Sequence, residues 1–317
     1  MKGSATQIVP AIIDEVQILN QFIRTPQYYF PQKNPRIPAV LKFVFRYLPA
    51  TFSLFRLIIF LVYESRFRHF YLNSRGSRLR AIARQVSRTY IEDNAPQRFW
   101  SLVMPEYDVG CKRRIFDESY VPALKKPNIH LTKDPITSIE AKEVVTKSGS
   151  RYPCDILVVA NGFSPLHFHL PIRGRNGMTQ QEHWTQFGGI EAYQSTALAD
   201  FPNFFMIYGP NAGSGHTSAL FSIECTVDMV LKLIKPLLIS QEADIIEVKF
   251  EAEMNWVRNT QAALTKRVWA GNCGNYYSDK KNKWNIAMYP FSSFHFWYIN
   301  RFPNMRDWIY KPFSRRG

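Results

Sequence analysis

Three places in this chain put small residues where a phosphate or a flat ring can approach the backbone. Gly3-Ser4-Ala5-Thr6-Gln7 reads as the end of a glycine-rich turn opening into a helix, its strand and first glycine missing. Asn161-Gly162-Phe163 stops the apolar run from Asp155, and Gly209-Pro210-Asn211, followed by Gly213 and Gly215, stops the run from Asn203 to Tyr208. In open α/β sheets ligands bind at such strand ends, because backbone N–H groups meet them with no Cβ in the way. A following helix N-terminus adds donors and a field that favours an anion. Each of the three alone also fits an ordinary strand-to-helix turn; three together favour nucleotide binding. Two sets of cations accompany them: Arg24, ahead of Thr25-Pro26, and the run Lys112-Arg113-Arg114, which by composition alone is a solvated basic turn. His216 and Thr217 lie in the last glycine loop, where a solvating role and a ligand contact are equally open. Ser222 and Glu224 read as capping or packing residues.

The elements that position these residues follow from periodicity. Residues 5–19 predict a helix with Ile8, Ile12, Val16 and Leu19 on one stripe, then a short strand at 21–23 ended by the proline at 26. A proline-punctuated loop covers 31–38, and 39–89 is helical and arginine-rich. Strand signals at 129–131 and 136 precede a hairpin whose turn is Ser148-Gly149-Ser150. The continuous apolar run 155–163 is the clearest strand, of the kind covered on both faces in a parallel sheet. A second strand is expected at 203–208, helices at 218–235 and 254–268, and beyond them a tail of loops and aromatic residues.

Composition bounds the rest. With 317 residues, 46% hydrophobic and 21% charged, the chain can bury one large core or two ordinary ones. The net charge of +15 suits anionic partners, but the cations are dispersed apart from Arg66 to Arg88, and no nucleic-acid motif accompanies them. That argues against a nucleic-acid partner. Four widely spaced cysteines with no C-x-x-C pair argue against zinc, and no other metal set is read. No secretory signal is seen, and the stretch Phe52 to Tyr63, interrupted by Arg56, is shorter than the roughly 20 apolar residues a span needs. An intracellular, cytoplasmic protein is expected, with contact at a membrane surface open.

Four segments, in order along nearly the whole chain, resemble the C-terminal portion of the FAD- and NADPH-dependent flavin-containing monooxygenases of Baeyer–Villiger type. They are Gly3–Gln7 through Pro26, Cys111 through Asp117, Asp155 through Phe163, and Phe201-Pro202-Asn203 to Asn211 with Ile223-Glu224; Trp184 and the 273–277 stretch match as well. The resemblance implies an α/β fold, a partial pair of interleaved Rossmann-like dinucleotide-binding domains with a helical insertion. It divides the chain into the start of an NADP domain (1–38), the insertion (39–105), the return of the NADP domain (106–154), and the C-terminal part of an FAD domain with its tail (155–317). It also implies NADP contacts from Gly3, Ser4, Thr6 and Gln7, with Arg24 and Lys112 on the 2′-phosphate. Arg113 would be catalytic, stabilising negative charge on the oxygenated flavin and on the adduct with a ketone, oriented by Asp117. Asn161, Gly162, Phe163, Gly209, Pro210 and Asn211 would line the FAD.

Two features depart from the family pattern. Asn161 stands where the family has threonine, and no complete G-x-G-x-x-G occurs. The expectation is therefore a truncated chain that binds FAD poorly by itself. The expected reaction is insertion of one atom of O2 beside the carbonyl of a ketone or other small organic substrate. The alternatives are flavin-dependent N- or S-hydroxylation and an inactive fragment acting through protein contacts.

Overall fold

The computed structural model describes residues 3–32, 36–162, 171–239, 243–271, 273–274, 277–279 and 282–312. Phe163 lies outside the described residues, as do 33–35 of the proline loop and 275–276 of the 273–277 stretch. The first elements in chain order are α1 (Gly3–Ile12), β1 (Leu19–Phe22), β2 (Tyr29–Pro31), α2 (Ala39–Tyr47), α3 (Pro49–Ser65) and α4 (Ser74–Asn94). Then come α5 (Trp100–Val103), β3 (Ile115–Asp117), α6 (Tyr120–Ala123), β4 (Ile129–Thr132), β5 (Ile136–Ile139), β6 (Glu143–Thr146) and β7 (Arg151–Pro153). Last are α7 (Gln180–Phe187), α8 (Ala219–Ile239), β8 (Ile245–Val248), α9 (Phe250–Leu264), α10 (Ser293–Arg301) and β9 (Trp308–Lys311). The chain is α/β, as expected, and divides into two compact units: residues 1–39 with 77–163, and residues 40–76 with 164–317. The segment expected as one helical insertion is thus shared between them.

The first unit is built on two short parallel pairs. β1 pairs with β4 from Leu19↔Ile129 to Phe22↔Thr132, and β2 with β3 from Tyr29↔Ile115 to Pro31↔Asp117. Val9, Ile13, Ile23, Tyr29, Ile91, Tyr120, Leu124 and Ile129 form its core. α1 turns Thr6 and Val9 inward rather than the stripe through Ile8 and Ile12, stops well short of residue 19, and is followed by the buried Ile13. The Asn128 amide donates to the carbonyls of Ile13 and Val16, both at 2.8 Å, satisfying groups that a longer helix would have bonded itself. The expected hairpin is present as β6–β7, joined to β5 in an antiparallel meander. Gly149 sits in its turn at φ +85°, a value a side chain would strain.

The strand expected at 155–163 does not form over its described residues 155–162. Ile156 and Val159 are 81% and 69% exposed. Backbone polar groups make a strand only where a neighbour completes the ladder, and among the described residues none does so for this run. The strand expected at 203–208 is absent for a different reason. Met206 N–H donates to Thr196 O at 2.7 Å and Gly209 N–H to Ser195 O at 3.1 Å, so the backbone closes on a neighbouring loop. Asn203 and Tyr208 turn the chain with φ of 58° and 60°.

In the second unit, α8 packs against α10, and β8 pairs antiparallel with β9 from Ile245↔Lys311 to Val248↔Trp308. One core gathers Tyr193, Met229, Leu233, Ile246 and Trp308, and another Trp184, Leu198, Phe201, Met206 and Ile286. α7 opens with a reciprocal cap: Thr179 Oγ1 accepts from Glu182 N–H at 3.2 Å, and the Glu182 carboxylate accepts from Thr179 N–H at 2.7 Å. The tail, expected as loops, supplies α10, capped by Ser292, and strand β9. α2 and α3 are helical as expected, yet neither buries a single residue. No single helix among the described residues is long and apolar enough to cross a membrane; only the bent pair Ala39–Tyr47 and Pro49–Phe70, at 115°, meets that test together.

Candidate functional site

The cations are the residues the first unit brings together. Arg24 is exposed just beyond the end of β1, and Lys112 lies half-buried with its ammonium 4.8 Å from the centre of the Tyr107 ring. Burial, and then the nearby Arg24 charge, hold the Lys112 ammonium below its ordinary pKa. Two cations thus share one neighbourhood, and among the described residues neither forms an ion pair. An anion placed there would relieve both the repulsion and the cost of burying Lys112. Guanidinium and ammonium together suit a phosphate.

α1 contributes less than its sequence suggests. Gly3 is already helical rather than in a turn, and a Cβ on it would meet nothing within 4 Å. The Thr6 hydroxyl donates to Gly3 O at 2.6 Å and is used by the helix itself. Gly3, Ser4 and Gln7 are exposed.

Arg113 is exposed on the segment leading into β3. Asp117, at the end of that strand, is buried and fully engaged. Its Oδ1 accepts from Tyr120 N–H, and its Oδ2 from Val121 N–H and the Tyr90 hydroxyl, each at 2.9 Å. Asp117 therefore fixes the start of α6, and among the described residues no hydrogen bond joins it to Arg113. Burial, reinforced by Asp117, pushes the Tyr90 phenol upward and keeps it a donor.

The other expected ligand loops divide by unit. Asn161 and Gly162 are exposed in the first, with Gly162 at φ +74°. In the second, Gly209 is closely overlaid: a Cβ there would lie 2.4 Å from Ser195 O. Pro210 is buried beside it. Asn211, at φ 59°, gives its amide to Asn285 O at 2.8 Å and Met288 O at 3.1 Å, and its N–H to Ile286 O at 2.9 Å. Asn211 thereby clamps the 285–288 loop. Between 194 and 211, the non-glycine residues Gln194, Ser195, Asp200, Asn203, Tyr208 and Asn211 all adopt left-handed backbone, a concentration of strain typical of functional loops.

His216 is buried rather than solvating. Its Nε2 lies 3.0 Å from Glu64 Oε2 and 3.3 Å from Ser293 Oγ, against the rings of Phe67 and Phe70. Glu64 also accepts from Ser293 N–H at 3.2 Å. Burial alone would raise its pKa, but the His216 hydrogen bond and charge outweigh this and hold it below the ordinary value. Thr217 continues the network to Ser214 and Ser293. Ser222 is buried in α8, whereas Glu224 is exposed on it, with Oε2 3.9 Å from Arg56 Nη2.

A second buried group went unseen in the sequence. His183 Nε2 on α7 lies 3.1 Å from Glu253 Oε1 on α9 and 3.3 Å from Glu191 Oε1, and Glu253 Oε2 accepts from Ala199 N–H at 3.0 Å. The three ligand atoms lie within 4.8 Å of one another, close enough to share one cation. A protonated His183 itself supplies a positive charge. Burial would lower its pKa, yet the neighbouring Glu191 and Glu253 carboxylates raise it to about 9. Burial raises Glu191 to about 8, with His183 opposing and Glu253 adding to the rise. No spacing pattern flags three residues spread over 70 positions. Glu64 was more legible, as the lone acid in an apolar, basic stretch.

No family model matches the chain. It is 29% identical over 293 residues to a Baeyer-Villiger monooxygenase of Streptomyces coelicolor, an alignment covering 91% of this chain and 55% of that protein. It is 30% identical over 294 residues to a Baeyer-Villiger monooxygenase of Pseudomonas aeruginosa, covering 91% and 54%. The chain thus spans about half the length of the curated relatives it matches. In fold it is similar to cyclohexanone monooxygenase from Rhodococcus sp. Phi1 bound to NADP+, with TM-score 0.80 at 20% identity, over 98% of this chain and 66% of that one. The resemblance read from the four segments therefore holds along about nine tenths of the chain.

Two outcomes follow from the geometry. Gly209→Ala forces a Cβ against backbone and should cost about 1–3 kcal/mol in denaturant unfolding, so any binding loss in it reflects loop collapse; an unchanged midpoint would refute the overlay. The His183 cluster makes a pH prediction. Both shifted groups hold protons more tightly folded than unfolded, so their stabilisation is present at low pH and declines as pH rises. The decline begins near the ordinary carboxylate value for Glu191 and ends near 9, where His183 loses its proton. His183→Gln should therefore destabilise the chain by about 3 kcal/mol at pH 6, and the deficit should shrink by pH 9.5. A pH-independent deficit would show that the imidazole is neutral.

Proposed function

We propose that this chain serves an FAD- and NADPH-dependent monooxygenase that inserts one oxygen atom of O2 beside the carbonyl of a small organic substrate, a Baeyer–Villiger oxidation. Sequence similarity to the two curated monooxygenases supports the reaction class, and the convergence of Arg24 and Lys112 supports the cofactor. Two cations held together, neither in an ion pair among the described residues, fit the adenosine 2′-phosphate, the group that separates NADPH from NADH. Arg24 makes the planar bidentate contact and Lys112 the point-charge contact. α1 begins at Gly3, so Gly3, Ser4, Thr6 and Gln7 stand at the helix end whose field favours an anion.

The flavin supplies the redox and oxygen chemistry when bound. Of its proposed contacts, Gly162 and Asn161 have exposed backbone to offer. The Gly209 N–H and the Asn211 side chain and N–H are already used within the protein, so the 209–211 turn would line a flavin by shape rather than by those donors. Arg113 carries the catalytic part. An exposed guanidinium on a short segment pinned by Asp117 can stabilise negative charge as it develops on a substrate oxygen. Asp117 acts through the fold of that segment and is a positioning residue. A nucleic-acid partner is not part of the reading.

Two measurements separate the parts. Calorimetric titration with 2′-AMP and 5′-AMP should show tighter binding of the 2′-phosphate, and Arg24→Ala should reduce that preference by roughly 10-fold or more, on the order of a lost charge-assisted contact. Equal affinities in the unaltered chain would remove the NADPH assignment. In the flavin-loaded enzyme, Arg113→Ala should abolish conversion of ketone to ester or lactone. Unimpaired ketone oxidation would instead favour N- or S-hydroxylation.

A further inference from the structure

We infer that α2 and α3 form a docking surface for an anionic lipid bilayer, lying in the headgroup region rather than crossing it. The inference is independent of the flavin chemistry. Water-soluble surfaces seldom leave a large contiguous apolar patch open, yet every residue of these two helices is at least partly exposed. On α2, Val40, Phe43 and Tyr47 share one stripe and are 76%, 62% and 58% exposed. On α3 the exposed apolar side chains run through Phe52, Leu54, Leu57, Ile58, Leu61 and Val62.

Charge identifies the occupant. Arg36, Lys42, Arg46, Arg56, Arg66, Arg68 and Arg75 are the Lys and Arg residues between 36 and 75, and Glu64 is the only acid. That acid is directed inward to His216 and Ser293. An apolar protein partner would not need such an excess of positive charge, whereas an anionic membrane face attracts it. Long cationic side chains also lay their stems along an apolar surface while the head stays in water.

Geometry decides between lying and spanning. α3 has 17 residues with Arg56 near its middle, and the turn before Pro49 bends the pair by 115°. A straight span needs roughly 20 apolar residues, so the bent pair suits a wedge at the level of headgroups and upper acyl chains. Helices satisfy their own backbone groups, as lipid contact requires.

The test is sedimentation of the full chain with vesicles of phosphatidylcholine alone and with 30% phosphatidylglycerol. Binding is expected only to the anionic vesicles and should fall at least several-fold in high salt. Ile58→Glu with Leu61→Glu should abolish it, and Lys42→Glu with Arg46→Glu should weaken it strongly. Both pairs of positions are exposed, so folding should survive; circular dichroism checks this. Phe52→Trp should shift its emission to the blue on binding. Equal binding to neutral vesicles, or none to either, overturns the proposal. So does a lipid-free dimer, detected by light scattering, that Ile58→Glu with Leu61→Glu turns to monomer, since the patch would then be an interface between copies.

Discussion

The second unit depends on charge neutralisation in a place water does not reach. His183, Glu191 and Glu253 are almost completely buried, and an unpaired charge there would cost several kcal/mol. Meeting that requirement ties α7, the loop after it and the start of α9 into one arrangement. Glu253 then uses its second oxygen on Ala199 N–H, which anchors the far end of the loop. Between these anchors Gln194 and Ser195 adopt left-handed backbone, and Asp200, Asn203, Tyr208 and Asn211 repeat it beyond them. The strained run ends at Gly209-Pro210-Asn211, whose positions are set by contacts to Ser195 and the 285–288 loop. The turn that looked like a ligand loop is thus fixed by forces acting some way from it.

The first unit solves a different problem with smaller parts. Its parallel pairs are only three or four residues long, too short to be stable alone. Tyr29, Tyr120, Ile23 and Ile129 pack across them, and Asp117 joins β3 to α6 and to Tyr90 on α4. Arg24 and Lys112 stand on segments flanking β1 and β3, so pairing and packing bring together two cations distant in sequence. Repulsion between them is tolerable because Arg24 keeps its exposure to water. Lys112 gives up part of its hydration and shows it in a lowered pKa.

Legibility in the sequence followed how local the controlling interaction was. The 148–150 turn, the α8 helix and the arginine-rich helices could be read because turn chemistry and periodicity act over a few residues. β1 and β4 were found approximately, since short apolar runs announce strands without naming partners. The run at 155–162 has the same signature as a buried strand, but a strand is a pairing, and composition cannot certify a partner. The resemblance implies that Asp117 orients Arg113, whereas the backbone N–H groups of Tyr120 and Val121, fixed three and four residues on by α6, occupy its oxygens. The His183 cluster was invisible because its members come from three separate segments.

The exposed apolar surface has two origins with opposite physical meaning. In 155–162 the apolar side chains are largely exposed and among the described residues no strand pairs with the backbone, so contact with hydrocarbon would leave N–H and C=O groups unsatisfied at a cost of several kcal/mol each. That run can be covered only by something that hydrogen-bonds. In α2 and α3 the backbone is already satisfied within each helix, and the apolar side chains need only be removed from water. Lipid can do that, and the flanking arginines favour the lipid surface that carries negative charge. Similar exposure therefore calls for a hydrogen-bonding partner in one segment and permits a bilayer in the other, a distinction that side-chain hydropathy alone does not make.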